Sequence, residues 1–287
     1  MSHSANNNLS NHLSNNISDD IVNIAQLQFA WSATADAKFT IDKFSVQRGE
    51  KLFLRGPSGS GKTTFLSLLC GIIASQSGEL NINGENLTAM SASKRDQFRA
   101  DHIGVIFQMF NLIPYLSTIE NVVLPCHFSK VRKQKALKNS ASVEDEAIRL
   151  LEHLDMGDVK LLHKPVNELS IGQQQRVAAA RALIGAPELI VADEPTSSLD
   201  SDRCQSFLNL LFKECAEAGS TLVFVSHDMR LENLFDRSVM LSKQSATELV
   251  QVNPQTSEQT TIQTNAAHHQ DVISIIATSS STAKGVG

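Results

Sequence analysis

A glycine-rich stretch with a single lysine carries the clearest chemical signal in the sequence. In order, its residues are Gly56, Pro57, Ser58, Gly59, Ser60, Gly61, Lys62, Thr63 and Thr64. The glycines let the backbone curl until several N–H groups point at one spot, which suits the oxygens of a phosphate. Lys62 adds a charge that reaches the outer phosphates of a nucleotide, and Thr63 adds a hydroxyl for Mg²⁺. The stretch predicts a phosphate-binding P-loop. A glycine-rich turn that binds no nucleotide is the alternative.

Two acidic side chains follow an apolar run much further along the chain. Residues Leu189 to Ala192 are all apolar, and Asp193 and Glu194 come next. Such a run is typical of a strand buried on both faces of a parallel sheet, and ligands bind where those strands end. Asp193 could then hold Mg²⁺, and Glu194 could polarise an attacking water. A solvated turn is the alternative for the pair taken alone.

A polar strand end of the same kind predicts one more site residue. The run Thr221 to Asp228 ends in polar residues with His227 at its tip, where it would share a sheet edge with Lys62 and Glu194. We expect His227 to contact a γ-phosphate, although a lone histidine at a strand end is more often only a surface residue. A further strand, Ile103 to Phe107, ends at Gln108.

The stretch LSIGQQQ, residues 169–175, predicts the tip of a helix. Ser170 is a favourable N-cap, and good helix formers follow it. The tip offers free backbone N–H groups, the Ser170 hydroxyl and the Gln173 amide, and it has no bulky apolar cover. Such an N-terminus suits an anion. A capped surface helix that binds no anion is the alternative.

The elements that position these residues indicate one α/β domain. The P-loop lies between a strand, Lys51 to Arg55, and a helix, Lys62 to about Cys70. We expect a folded domain over residues 21–243 with a helical insert over about 109–180. Residues 1–20 and 244–287 are rich in Asn, Ser, Thr and Gln, which predicts a disordered lead and a disordered or weakly structured tail, with at most a stray strand at DVISIIA. The basic run KVRKQKALK predicts a solvated helix face or loop, with contact to anionic lipid head groups as the lesser alternative.

Composition narrows the class of protein. The net charge is −5, which does not favour nucleic acid as a partner. The four cysteines form no CxxC motif and are expected to be reduced and structural. No apolar run approaches the roughly 18–20 residues that span a bilayer. Residues 1–20 lack the basic and apolar regions of a secretory signal. We therefore expect a cytoplasmic protein.

The motifs, taken in order, resemble those of the ATP-binding subunit of an ABC transporter. The match runs over about residues 21–243. It consists of the P-loop, the strand-end Gln108, LSIGQ, the Asp-Glu strand, the loop residues Ser198, Leu199 and Asp200, and the later His227. The resemblance implies an α/β P-loop NTPase fold. That fold has a mainly parallel sheet core, an antiparallel β subdomain and an inserted α-helical subdomain.

The resemblance also implies a role for each matching residue. Trp31 would stack on adenine, although a strand face shared with Leu27 and Phe29 could instead place it in the core. Gln108 would sense Mg²⁺ and the attacking water, Asp193 would bind Mg²⁺, Glu194 would be the base, and His227 the switch histidine. Ser170, Gly172, Gln173 and Asp200 would serve ATP held by a second copy of the chain. Ile171 departs from the commoner glycine and is expected to be neutral, with its side chain pointing away from phosphate.

The partners and cofactors follow from the same resemblance. ATP and Mg²⁺ would bind between two copies of the chain, and hydrolysis would separate them. The segment GVIFQMFNLIPYLSTIENVVLP is similar to the lipoprotein-releasing and macrolide-export group, whose permeases have a large periplasmic domain. Some of the apolar side chains between Met109 and Leu116 would pack inside the helical region, and the others would face that permease. Membrane contact would occur through the permease, on the cytoplasmic face of the inner membrane.

Three other functions share part of this pattern. A regulatory ABC ATPase that signals through a permease-like partner would carry the same motifs. A soluble ABC protein of translation or DNA repair usually has two cassettes or a coiled-coil insert, and this chain has one cassette and no such insert. A P-loop kinase or GTPase is disfavoured by LSIGQQQ and Gln108.

Overall fold

The computed structural model describes residues 19–32, 39–245 and 270–277 of the 287-residue chain. One of its two sheets is antiparallel, with the strand order β2-β1-β4-β5. In β1 the side chains of Val22, Ile24, Leu27 and Phe29 are buried, so this sheet covers the core with one face. Its strands are β1 (Asp20–Phe29), β2 (Phe39–Gln47), β4 (Ser77–Ile82) and β5 (Glu85–Asn86).

The second sheet is parallel and has the order β10-β9-β3-β8-β7-β6. Its central strands are apolar and buried on both faces, as parallel sheets covered on two sides require. The strands are β3 (Lys51–Arg55), β6 (Ile103–Ile106), β7 (Leu189–Asp193), β8 (Thr221–Val225), β9 (Arg237–Ser245) and β10 (Gln270–Ala277). Because neighbouring strands run in the same direction, the carboxyl ends of β3, β6, β7 and β8 lie at one edge.

Eight α-helices lie in the described part of the chain. Helices α3 to α6 and the start of α7 form the inserted helical region between β6 and β7. The helices are α1 (Lys62–Leu69), α2 (Ala92–His102), α3 (Thr118–Phe128), α4 (Lys130–Asn139), α5 (Val143–His153), α6 (Val159–Leu162), α7 (Ile171–Leu183) and α8 (Ser201–Ala218). None of the helices in the described ranges has the length and apolarity to span a lipid bilayer.

Two apolar clusters lie on opposite faces of the parallel sheet. Phe53 belongs to the cluster that includes α3, α5, α7 and α8, whereas its neighbours Leu52 and Leu54 belong to the cluster that includes α1 and the antiparallel sheet. This alternation is the two-residue period of a strand. The parallel sheet is therefore held between the helical insert and α8 on one face and the β subdomain with α1 on the other.

The three parts predicted for the fold are all present. The four cysteines are free and buried, as expected for structural residues, and burial raises the pKa of Cys70 and Cys215 to about 12. The predicted tail contains a regular strand, since β10 pairs with β9 from Gln270 to Ala277, and β9 itself continues to Ser245. The disorder predicted for residues 1–18, 246–269 and 278–287 lies outside the described residues.

Candidate active site

The P-loop joins β3 to α1 through glycines that no other residue could replace without strain. Gly59 and Gly61 have φ angles of 71° and 92°, in the left-handed region. A Cβ atom added to Gly56 would lie 2.5 Å from Ser60 Oγ and 2.7 Å from the Leu241 carbonyl oxygen. Gly61 is also the N-cap of α1 and offers no side chain to its first N–H groups. Those donors therefore face the concave loop, where a phosphate can accept from them.

Lys62 holds its charge over this loop. Its Nζ donates hydrogen bonds to the carbonyl oxygens of Gly56 at 2.6 Å and Pro57 at 3.2 Å. Beneath it, Ser60 Oγ is buried and has no hydrogen-bond partner in the described part of the chain. Pro57, Ser58 and Gly59 are exposed. An ammonium group above converging N–H donors is an arrangement that favours a polyanion.

Asp193 and Glu194 lie at the end of β7, in the same sheet edge. Burial and the neighbouring Glu194 raise the pKa of the Asp193 carboxyl, and Lys62 opposes that rise. Glu194 has a φ angle of 45°, which is unusual for a residue with a side chain. Its N–H donates to the Val225 carbonyl oxygen at 2.9 Å, so β8 holds the turn. The backbone thereby directs two carboxylates to one place.

His227 meets Glu194 at this edge. Its Nδ1 lies 3.1 Å from Glu194 Oε2, and the imidazole is 68% exposed whereas the carboxylate is 20% exposed. Ser226, just before it, is buried and its Oγ accepts a hydrogen bond from the Asp228 N–H at 3.1 Å. The histidine is therefore anchored from below while its ring remains open to a ligand. The contact matches the placement predicted from the strand ends.

Two further oxygen donors, Gln108 and Thr63, follow β6 and β3 in the chain, at the sheet edge that carries Asp193. β6 ends at Ile106, which is paired with Ala192, so Gln108 follows β6 at the edge where Asp193 ends β7. Thr63 is exposed in the first turn of α1, beside Lys62 and Thr64. A hydroxyl, an amide and a carboxylate are the hard ligands that Mg²⁺ prefers. The raised pKa of Asp193 agrees with a cation site, because a cation there would relieve the repulsion between the two carboxylates.

Trp31 lies beyond β1 and not on its face. β1 ends at Phe29, which is buried, whereas Trp31 is 71% exposed. The two rings meet edge to face, with centroids 5.1 Å apart. Phe29 belongs to the cluster that contains Phe65 of α1. The alternative that places Trp31 in the core is therefore wrong, and its ring is available to a planar ligand.

The helix tip at residues 170–173 forms a capping box. Ser170 Oγ accepts from the Gln173 N–H at 3.3 Å, and Gln173 Oε1 accepts from the Ser170 N–H at 2.9 Å. Ser170 and Ile171 are exposed, and a Cβ atom on Gly172 would meet only Leu199, at 4.0 Å. The tip is thus uncovered, and the hydrogen bonds described for Ser170 and Gln173 stay within it and do not reach the P-loop.

Asp200 has a structural partner of its own. It is the N-cap of α8, where its Oδ1 accepts from the Arg203 N–H at 2.9 Å. Its side chain remains 61% exposed, close in sequence to the exposed Ser198. The cap fixes the loop between β7 and α8 and leaves the Asp200 carboxylate accessible.

A family model decides what this arrangement belongs to. The model described as "ABC transporter" matches residues 40–197, which is more than half of the chain. The chain belongs to the ABC transporter family. The resemblance and the fold predicted from the sequence are confirmed.

Curated relatives and solved structures agree with this family. The uncharacterized ABC transporter ATP-binding protein YbbA of Escherichia coli K12 is 42% identical over 196 residues, which cover 68% of this chain and 82% of YbbA. The lipoprotein-releasing system ATP-binding protein LolD of Treponema denticola is 35% identical over 226 residues, covering 78% and 96%. A dimeric post-hydrolysis structure of the ATP-binding cassette MJ0796 bound to ADP and Pi has a TM-score of 0.64 at 33% identity, covering 77% of this chain and 94% of that one.

The sequence did not reveal two residues that support the site of this ABC protein. Gln175 is buried, and its Nε2 donates to the Pro195 carbonyl oxygen at 2.9 Å, which ties α7 to the residue after Glu194. Arg230 pairs with Asp228 at 2.7 Å, and its hydrogen bonds hold the pKa of that carboxyl below its ordinary value. Gln175 is the third glutamine of the QQQ run. Its inward-facing position on the predicted helix was the signal that could have revealed it.

Proposed function

We propose that this chain is the ATP-hydrolysing subunit of an ABC transporter, of the export or lipoprotein-release type. One observation carries the proposal: Glu194 and His227 meet at 3.1 Å on the sheet edge that also carries Asp193, with Lys62 near enough to lower the pKa of Asp193. A base, a histidine, a metal-binding carboxylate and a phosphate-binding lysine at one edge are the parts that ATP hydrolysis requires.

Each residue has a defined task in this mechanism. Lys62 exchanges its two carbonyl acceptors for oxygens of the β- and γ-phosphates. The oxygen donors of Thr63, Gln108 and Asp193 would hold Mg²⁺, which would supply positive charge to offset that of the phosphates. Glu194 accepts a proton from the attacking water. His227 keeps the Glu194 carboxylate oriented and contacts the γ-phosphate from the other side.

Replacing Glu194 with glutamine tests the proposal. The amide cannot accept the proton, so we expect turnover to fall at least about 100-fold while ATP still binds. The trapped species should be an ATP-bound dimer, visible by size-exclusion chromatography with Mg-ATP. Glu85→Gln, an exposed glutamate on β5, is the matched control. A Glu194→Gln protein that stays monomeric and hydrolyses ATP normally would exclude this role.

A second copy of the chain is the partner that the helix tip requires. Ser170, Gly172 and Gln173 lie at an exposed helix N-terminus, and their own P-loop does not use them. We infer that they bind the γ-phosphate of ATP held by the second copy, with Asp200 in the loop between the two sites. The dimeric state described for the cassette MJ0796 supports this arrangement. Two shared nucleotides would join the copies, and hydrolysis would release them.

A membrane permease is the partner proposed for the helical insert. A groove of about 330 Å³ lies between the core and the insert, and Ile72, Phe107, Asn111, Pro125 and Phe128 are among its lining residues. Phe128 is 69% exposed, and the nearby Met109 and Tyr115 are more than 80% exposed. Exposed apolar side chains at this density favour a protein partner. The name of the LolD relative supports a partner from a lipoprotein-releasing system. We propose that this permease has a large periplasmic domain, as the resemblance to that group implies.

The apolar segment after Gln108 does not face this partner as a whole. Phe110 is buried, and Leu112 packs against the core cluster. Only part of the segment, including Met109 and Tyr115, is therefore free to bind. Through the permease, the subunit would lie peripherally on the cytoplasmic face of the inner membrane.

A further inference from the structure

Helix α4 divides its five cations between two faces. Arg132 is buried, with Nε donating to the Ile184 carbonyl oxygen at 2.7 Å and Nη2 to that of Ala182 at 2.6 Å. Lys135 donates to Glu188 Oε1 at 2.7 Å. These two cations satisfy carbonyl oxygens around the C-terminal end of α7, where a helix leaves its acceptors free. They attach α4 to the core in one orientation.

The other three cations face away from the protein. Lys130, Lys133 and Lys138 are exposed, and no side-chain hydrogen bond or ion pair joins them to another residue in the described ranges. At 100° per residue they share one face of α4 with Leu137, which is 43% exposed. α4 contains no acidic residue that could neutralise them. The outer face of α4 is therefore cationic with an apolar side chain at its centre.

Helix α4 begins beside the proposed permease groove, which its inward-facing Arg132 also lines. Phe128, two residues before Lys130, lines the groove and is 69% exposed. A permease bound in the groove would therefore bring α4 towards the bilayer. Because the whole chain carries a net charge of −5, attraction to an anionic surface has to come from such a local face and not from the protein as a whole.

We propose that the outer face of α4, formed by Lys130, Lys133, Leu137 and Lys138, binds the anionic head groups of the bilayer that contains the permease. The proposal rests on the transporter function proposed above. Lysines on the outer face match the negative charge of phospholipid head groups, and Leu137 with Phe128 provides shallow apolar contact at the interface. The face would hold the subunit at the membrane surface between cycles of ATP binding.

Vesicle binding by the full chain tests this. We expect co-sedimentation with vesicles of phosphatidylcholine and phosphatidylglycerol, none with phosphatidylcholine alone, and a loss of binding as salt is raised. Each lysine near an anionic surface is worth about fivefold in binding, so Lys130→Glu, Lys133→Glu and Lys138→Glu together should weaken it at least about 100-fold. A triple variant of exposed lysines elsewhere, Lys43→Glu, Lys160→Glu and Lys213→Glu, changes the net charge equally and should bind far better than the α4 variant.

The outcomes separate this proposal from the transporter function. ATP hydrolysis and ATP-driven dimerisation are measured on the same samples and should survive in the α4 variant. Equal binding by the two triple variants, or no binding of the unaltered chain to anionic vesicles, would overturn the lipid proposal alone. A variant that binds vesicles normally but fails to capture the permease would assign the face to protein and overturn it as well. If the triple variant is unfolded, the single changes Lys130→Gln and Lys138→Gln should each weaken binding to anionic vesicles about fivefold.

Discussion

The carboxylate of Glu188 joins three elements just ahead of the strand that carries Asp193. It accepts a hydrogen bond from Lys135 of α4 at 2.7 Å and lies 2.9 Å from Nδ1 of His102 at the end of α2. Burial alone would raise its pKa, but these two partners lower the pKa to about 2. Glu188→Gln removes the charge and keeps the shape of the side chain. We predict that it destabilises the fold and loosens α4.

The size of the effect follows from the pKa. The carboxyl falls from its ordinary value of 4.5 to about 2 on folding, which at about 1.4 kcal/mol per unit corresponds to about 3 kcal/mol. Solvent screening at a side chain that is 25% exposed reduces the expected loss to about 2 kcal/mol. Because the folded pKa is the lower one, the stabilisation is complete above about pH 4.5 and disappears as the pH falls towards about 2.

Urea unfolding of the two proteins at several pH values measures this. The difference in unfolding free energy should be clearly smaller at about pH 3.5 than at about pH 5.5. Glu85→Gln, at an exposed site, should change stability by less than about 0.5 kcal/mol. A difference of that small size for Glu188→Gln at pH 7, or one that does not change with pH, would refute the reasoning.

Changes at five further positions test the site and its partners. Trp31→Ala should raise the Kd for ATP severalfold or more in a fluorescent-nucleotide titration, because stacking on a base is worth about 1–3 kcal/mol. Trp31→Phe should nearly restore the affinity. Equal binding by both variants and the unaltered protein would remove Trp31 from the site. Ser170→Arg should keep ATP binding but lose hydrolysis and dimerisation, and weaker ATP binding by the monomer would contradict the shared site. Asp193→Asn should end Mg²⁺-dependent hydrolysis yet raise the Tm of the protein measured without nucleotide. Burial and Glu194 raise the pKa of Asp193, so folding destabilises its charged form relative to the unfolded chain, and an unchanged or lower Tm would be inconsistent with that. Tyr115→Asp should weaken permease capture at a normal ATPase rate, and unchanged capture by this variant would place the interface elsewhere. Leu112→Asp should instead lower the Tm, because Leu112 packs on the core.

The parallel core is the part of the fold that the sequence predicts most directly. The run Leu189 to Ala192 becomes β7, which continues one residue to Asp193, because only apolar residues fit a strand covered on both faces. Strand pairing is different, since it depends on residues distant in the chain. DVISIIA looks like a strand, but nothing in its own pattern predicts that β10 aligns with β9.

In the basic run KVRKQKALK, helical periodicity does not predict which cations face the protein. The sequence predicts a helix or loop with solvated cations, and the structure turns Arg132 and Lys135 inward. Arg132 donates to carbonyl oxygens at the end of α7, and Lys135 donates to the Ala186 carbonyl oxygen and the Glu188 carboxylate. These acceptors lie about fifty residues away, and the local sequence carries no sign of them. The rotation of a helix about its axis follows from its packing partner when apolar residues do not determine it.

Strand ends explain why much of the candidate site could be predicted. Parallel strands bring their carboxyl ends together, so Asp193, Glu194 and His227 could be assigned to one edge before their contacts were known. Gln175 could not be assigned in this way. It acts through a hydrogen bond to the Pro195 backbone, which any chain segment could have supplied.

Several local arrangements at the candidate site are energetically unfavourable, and bound ligands would relieve some of them. Glu194 holds a left-handed φ of 45°, which costs about 1–3 kcal/mol for a residue with a side chain. Burial and the neighbouring Glu194 raise the pKa of Asp193. Lys62 donates its hydrogen bonds to carbonyl oxygens of its own loop. A cation beside Asp193 and phosphates beneath Lys62 would remove the last two costs. The tip at Ser170 is uncovered, and its capping hydrogen bonds stay within the helix end. In the arrangement proposed above, a second copy of the chain would bring this tip to the γ-phosphate of ATP on the P-loop, so that ATP would link the two copies.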